Sequence, residues 1–72
     1  MLIKKNGRKE ILKRMLDLDL KYKDLNEVMG YRTGRGFNDF LYNIQRGKGY
    51  ISQNKLERLE EQLEMSLMDY YG

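Results

Sequence analysis

A chain of 72 residues with no Cys and no His has no disulfide framework and no thiolate chemistry. It also lacks the commonest general base and metal ligand. A core this small supplies only a few kcal/mol, so the fold must be simple or helped by a partner. The net charge of +3 is unevenly spread: residues 1–50 carry twelve Lys/Arg against six Asp/Glu, and residues 51–72 carry two against five. A basic front and an acidic back suit a protein that sets one face against a polyanion, although charged side chains also simply solvate a small domain.

No apolar run approaches the roughly 18 residues of a membrane span. The opening MLIKKNGRKE has lysines but no apolar stretch of the kind a secretory signal needs, so a reducing cytoplasm is the expected compartment. There is no Ala and no Pro, and Val28 is the single Val. The scarcity of β-branched residues argues against a sheet, and the bias toward Lys, Asn and Tyr fits the AT-rich genomes of some bacteria, phages and plasmids.

In chain order, residues 1–7 read as a basic arm. The first helix is expected from about Arg8 to Leu18, with Ile11, Met15 and Leu18 at helical spacing, Leu12 and Leu16 beside them, and Asn6 as a cap. The second runs from about Lys21 to Met29 on a stripe of Tyr22, Leu25, Val28 and Met29, with Gly30 where a C-terminal cap belongs. Residues 31–36 read as an extended turn. A third helix follows from about Arg35 to Arg46, capped by Thr33 or Gly34. Its Phe37, Phe40, Leu41 and Ile44 fall at i, i+3, i+4 and i+7. Ser52 caps a fourth, with Leu56, Leu59 and Leu63 buried and Met65 or Leu67 continuing the stripe. SLMDYY forms a last short turn. The sum is an all-α bundle of about five short helices.

Chemistry finds little purchase in this pattern. Glu57, Glu60, Glu61 and Glu64 share a helix face, but no pocket or loop oxygens accompany them, so a solvated face is expected rather than acid/base work or cation binding. No P-loop spacing occurs. RGKGYI resembles part of the RNP1 signature but lacks its aromatics and the sheet that would display them. No enzyme activity, metal, cofactor or small-molecule ligand is expected. The outward line of the third helix is different. With 100° per residue, Arg35, Asp39, Tyr42 and Arg46 oppose the apolar face, flanked by Asn38 and Asn43. This face has no Lys and no Glu, and Arg, Asn and Asp are the side chains that read base edges.

The order of elements resembles the helix-turn-helix domain of the lambda-repressor/Cro-like, or XRE, family over about residues 8–70. KYKDLNEVMGY matches the second helix through Leu25, Met29 and Gly30. LYNIQRGKG matches the end of the third through Leu41, Ile44, Arg46, Gly47 and Lys48. ISQNKLERLEEQLEMSL matches the fourth through Ser52, Leu56, Leu59, Leu63, Met65, Ser66 and Leu67. The chain departs from the family at Asn26, where a small residue lets the helices cross closely. It departs again at Lys21, in place of a capping Thr, at Glu60 and Glu64, in place of small residues, and between Gly30 and Leu41, where ten residues stand in place of about five.

The resemblance implies a domain over residues 8–72 that binds double-stranded DNA by sequence, as a transcriptional repressor of a phage or other mobile element, with the third helix in the major groove. Arg35, Asn38, Asp39, Tyr42 and Asn43 are then the base-reading candidates. Lys21, Tyr22, Lys23, Arg32, Thr33, Arg46 and Lys48 are the phosphate candidates, with Lys4, Lys5, Arg8 and Lys9 able to add to them or to remain a solvated tail. Such readers usually pair on two half-sites, so a homodimer is expected, with Met68, Tyr70, Tyr71 and the acidic fourth helix as candidate surfaces. Two other readings share these residues: a protein-binding module, such as a small phage inhibitor or antitoxin, using the third helix as a hot spot, and a recombination or architectural accessory factor on DNA.

Overall fold

Four amphipathic segments close on one apolar centre. A computed structural model describes residues 1–71 and contains α1 (Lys5–Asp17), α2 (Tyr22–Met29), α3 (Gly36–Gln45) and α4 (Gln53–Leu63), followed by a 3-10 turn at Met68–Tyr70. The class is all-α, and the count is four α-helices rather than about five. The SLMDYY segment does not become a helix because α4 has already ended at Glu64, whose φ of 53° is left-handed, and a few residues cannot offset the cost of nucleating an α-helix.

The core holds Ile11 and Met15 of α1, Leu25 and Met29 of α2, Phe37, Phe40, Leu41 and Ile44 of α3, and Leu56, Leu59 and Leu63 of α4, with Ile3, Ile51 and Leu67 added from outside the helices. Of the two residues able to continue the α4 stripe, Leu67 is fully buried and Met65 only packs against the core. α2 packs on α3 and α4, and α1 packs on α3, α4 and the 3-10 turn.

Several ends differ from expectation, each for a local reason. α1 begins at Lys5, with Lys4 rather than Asn6 at the cap position and no side-chain cap. Its start is set by the segment before it, which is not a free arm. The Ile3 N–H donates to Gly49 O (2.9 Å), Lys4 N–H to Tyr70 O (2.6 Å) and Ile51 N–H to Met1 O (2.8 Å). Leu2 and Ile3 thereby form isolated antiparallel bridges to Tyr50 and Tyr71, and the Ile3 side chain is wholly buried. At α2, the Lys21 side chain has no oxygen to accept a hydrogen bond. The cap is supplied in reverse, by the Asp24 carboxylate accepting from Lys21 N–H at 2.9 Å. Gly30, at φ 73°, ends α2 in the left-handed conformation. At α4, Ser52 Oγ accepts from Lys55 N–H at 3.3 Å. The far end lacks the usual Gly, and the Arg14 guanidinium covers it instead, donating to Leu63 O at 2.8 Å and Glu64 O at 3.3 Å.

α3 is capped neither by Thr33 nor by Gly34. Arg35 occupies the cap position with helical backbone angles and no side-chain cap. The acceptor comes from the preceding helix: Asn26 Oδ1 accepts from the buried Phe37 N–H at 2.7 Å, and Asn26 Nδ2 donates to Gly34 O at 3.0 Å. Asn26 is the buried polar side chain of the core, at 6% exposure. Asn26 therefore ties the turn before α3 to both helices.

Asn26→Ala leaves the Phe37 N–H without its acceptor and Gly34 O without its donor, which is expected to lower unfolding stability by about 2–3 kcal/mol. Urea denaturation followed by circular dichroism measures this, and a loss under about 0.5 kcal/mol would mean that the turn does not depend on Asn26.

Candidate nucleic-acid interface

With Phe37, Phe40, Leu41 and Ile44 turned inward, α3 presents Arg35, Asn38, Asp39 and Tyr42 outward, all exposed, and Asn43 at the edge, half-buried. Tyr42 is 61% exposed. The Arg46 guanidinium lies over its ring at 5.6 Å from the centroid, a cation–π contact that restrains both side chains.

Two clefts flank this face. One, of about 320 Å³, brings together Arg35, Asn38, Asp39 and Tyr42 with Arg8 of α1. Four of the five base-reading candidates thus share one opening. Arg8, expected at the start of the first helix as one of the residues able to add phosphate contacts, is its fifth wall, and its Nε is shielded from solvent with no hydrogen-bond partner. Its place beside the α3 face depends on α1 packing against α3.

The other cleft, of about 560 Å³, lies toward the start of α4. Asp39, Asn43 and Lys48 line it together with Tyr31, Tyr50, Ser52 and Lys55. Asp39 borders both clefts. Tyr31, Tyr50 and Lys55 are the residues here that sequence reasoning missed. Lys55 Nζ sits 5.1 Å from the centroid of the Tyr31 ring. Burial pushes the Tyr31 hydroxyl above its ordinary value of 10.0. The Tyr31 ring also covers Gly36, where an added Cβ would come within 2.4 Å of Tyr31 Cβ. Gly36 is therefore a close-approach glycine that lets the turn fold back on the first residue of α3.

The remaining phosphate candidates are dispersed. Lys23, Arg32 and Thr33 are exposed and line neither cleft. Lys21 and Tyr22 open on a separate apolar groove with Leu12, Met15, Leu16 and Leu20, and the Tyr22 ring packs against Phe37 at 6.3 Å between centroids. Among the described residues no three acidic side chains converge as metal ligands, and Glu60 accepts from Leu67 N–H at 2.6 Å. No described helix is long and apolar enough to cross a membrane. No family model, curated protein or solved structure matches the chain.

Gly36→Ala is expected to displace the Tyr31 ring and cost about 1–3 kcal/mol, the usual range for overpacking. Chemical denaturation measures the loss, and an unchanged midpoint would show that Tyr31 yields without cost.

Proposed function

We propose that this chain is a sequence-specific double-stranded DNA-binding protein that reads the major groove with α3 and acts as a transcriptional repressor of a phage or other mobile element. The observation that carries this reading is the outer face of α3. Arg35, Asn38, Asp39 and Tyr42 are exposed together on one short helix. An α-helix fits the major groove, where Arg pairs with guanine, Asn with adenine and Asp with cytosine. Arg8 widens the face from the α1 side, and Lys48 and Lys55 border it from the α4 side. These cations would neutralise the phosphates on either side of the groove. Residues 1–50 carry a net charge of +6 and residues 51–72 a net charge of −3.

Binding to duplex DNA is expected to fall at least about a hundredfold between 50 and 200 mM salt, as four or more phosphate contacts require. Fluorescence anisotropy on a random duplex pool and on the sequence selected from it measures this, and a flat salt response would favour a protein partner for the same face. Arg35→Ala and Tyr42→Ala are expected to lower discrimination between the selected and random duplexes by about 1–3 kcal/mol each, whereas Arg46→Ala and Lys48→Ala weaken both alike and shrink the salt slope by about one. Equal weakening on both duplexes by Arg35→Ala would assign Arg35 to phosphate rather than base.

A further inference from the structure

Among the buried side-chain nitrogens and oxygens of the described residues, Arg8 Nε alone has no hydrogen-bond partner. A buried donor without an acceptor is costly, and in a folded chain it calls for an explanation. Arg8 is half-buried on α1. It forms one wall of the cleft of about 320 Å³ whose other walls are Arg35, Asn38, Asp39 and Tyr42 of α3. Its side chain is therefore restrained at the edge of an opening on the reading face. Lys4, Lys5 and Lys9 around it are exposed and line neither cleft beside α3. A restrained guanidinium loses less freedom on binding than an exposed lysine does.

The charges in the cleft decide what suits it. Two guanidiniums and one carboxylate line it. A phosphate seated there would meet the Asp39 carboxylate, which offsets part of its attraction to the arginines. The edge of a G·C base pair has the opposite requirement. In the major groove guanine offers O6 and N7 as adjacent acceptors, and the cytosine paired with it offers its N4 amine as a donor. An arginine meets the first bidentately, and a carboxylate accepts from the second. One opening that holds both is the complement of a single G·C pair. Arg35, the other guanidinium, is exposed at the start of α3 and so is the freer of the two to follow a neighbouring base.

We infer that Arg8 reads DNA bases: it and Asp39 together take one G·C pair, Arg8 on guanine O6 and N7 and Asp39 on cytosine N4. The inference rests on the DNA-reading proposal and adds to it a base contact from outside α3, so that two helices read the duplex. Docked guanine supplies acceptors to a guanidinium whose Nε has none within the chain.

The test uses the full chain and the duplex it selects from a random pool. Each guanine in turn is replaced by 7-deazaguanine, which pairs with cytosine but lacks the N7 acceptor. At one guanine the wild type is expected to lose at least about fivefold in affinity, measured by fluorescence anisotropy. Arg8→Met keeps the apolar stem and removes the guanidinium. It is expected to bind the unmodified duplex at least about fivefold more weakly, and to show no further loss when that same guanine is modified. Arg8→Gln is a second variant expected to behave alike, and circular dichroism checks the fold of each. Asp39→Ala is expected to shrink the penalty for replacing that G·C pair by A·T. A phosphate contact gives a different pattern: Arg8→Met then weakens all duplexes alike, lowers the salt slope by about one and leaves every 7-deazaguanine effect in place. That pattern, or a wild type indifferent to 7-deazaguanine at every position, overturns the inference and leaves the DNA-reading proposal standing. A wild type that binds no duplex overturns both.

Discussion

Much of the architecture around α3 depends on one buried amide. Asn26 sits in the middle of α2, accepts from the N-terminal end of α3 through Phe37 N–H, and donates to Gly34 in the turn between them. The turn between Met29 and Gly36 leaves backbone groups to satisfy between the two helices. A side chain with both an acceptor and two donors can replace close packing with a directed link. Its burial strengthens that link, because a buried hydrogen bond costs more to break than an exposed one. The pitch of α3 relative to α2, and therefore the direction in which its outer face looks, follows from this pair of bonds together with the Tyr31 ring seated on Gly36.

A second set of constraints holds the far side. The chain start lies between the segment before α4 and the residues after the 3-10 turn, bonded to both, and Ile3 fills the core from that position. Arg14 reaches from α1 to the exposed carbonyls at the end of α4. A domain with so few core residues has little stability to spare, and these cross-links give α1 a fixed place against α3. That placement is what brings Arg8 to the wall of the cleft beside Arg35 and Tyr42.

The helices were legible because a 3.6-residue period repeats: the four apolar positions of α3 and the leucines of α4 are all buried where the period sets them. What was not legible has no period. Asn26 meets residues eight and eleven positions away, and Arg14 meets residues 49 and 50 positions away. No local pattern announces either partner. Ile3 reads as part of a basic arm because Lys4 and Lys5 follow it, and its burial depends on segments at positions 49–51 and 70–71. Leu16 fails in the opposite sense. It belongs to an apolar run, but Ile11 and Met15 already occupy the stripe that faces the core, and the next residue is turned 100° away. In the candidate site the same division holds. The exposed face of α3 could be read by rotation from its buried one, whereas Arg8, Tyr31, Tyr50 and Lys55 arrive from other elements.

The two apolar exceptions, the buried residue in a polar segment and the exposed one in an apolar run, bear on the same question of how a very small domain arranges its surfaces. Ile3 turns the chain start into core and so frees α1 from being held by its own apolar stripe alone. α1 can then carry Arg8 toward α3 near its beginning and Leu16 toward solvent near its end, eight residues apart on a helix that rises about 1.5 Å per residue. Arg8, beside the outer face of α3, and the exposed Leu16 thus lie about 12 Å apart along one helix.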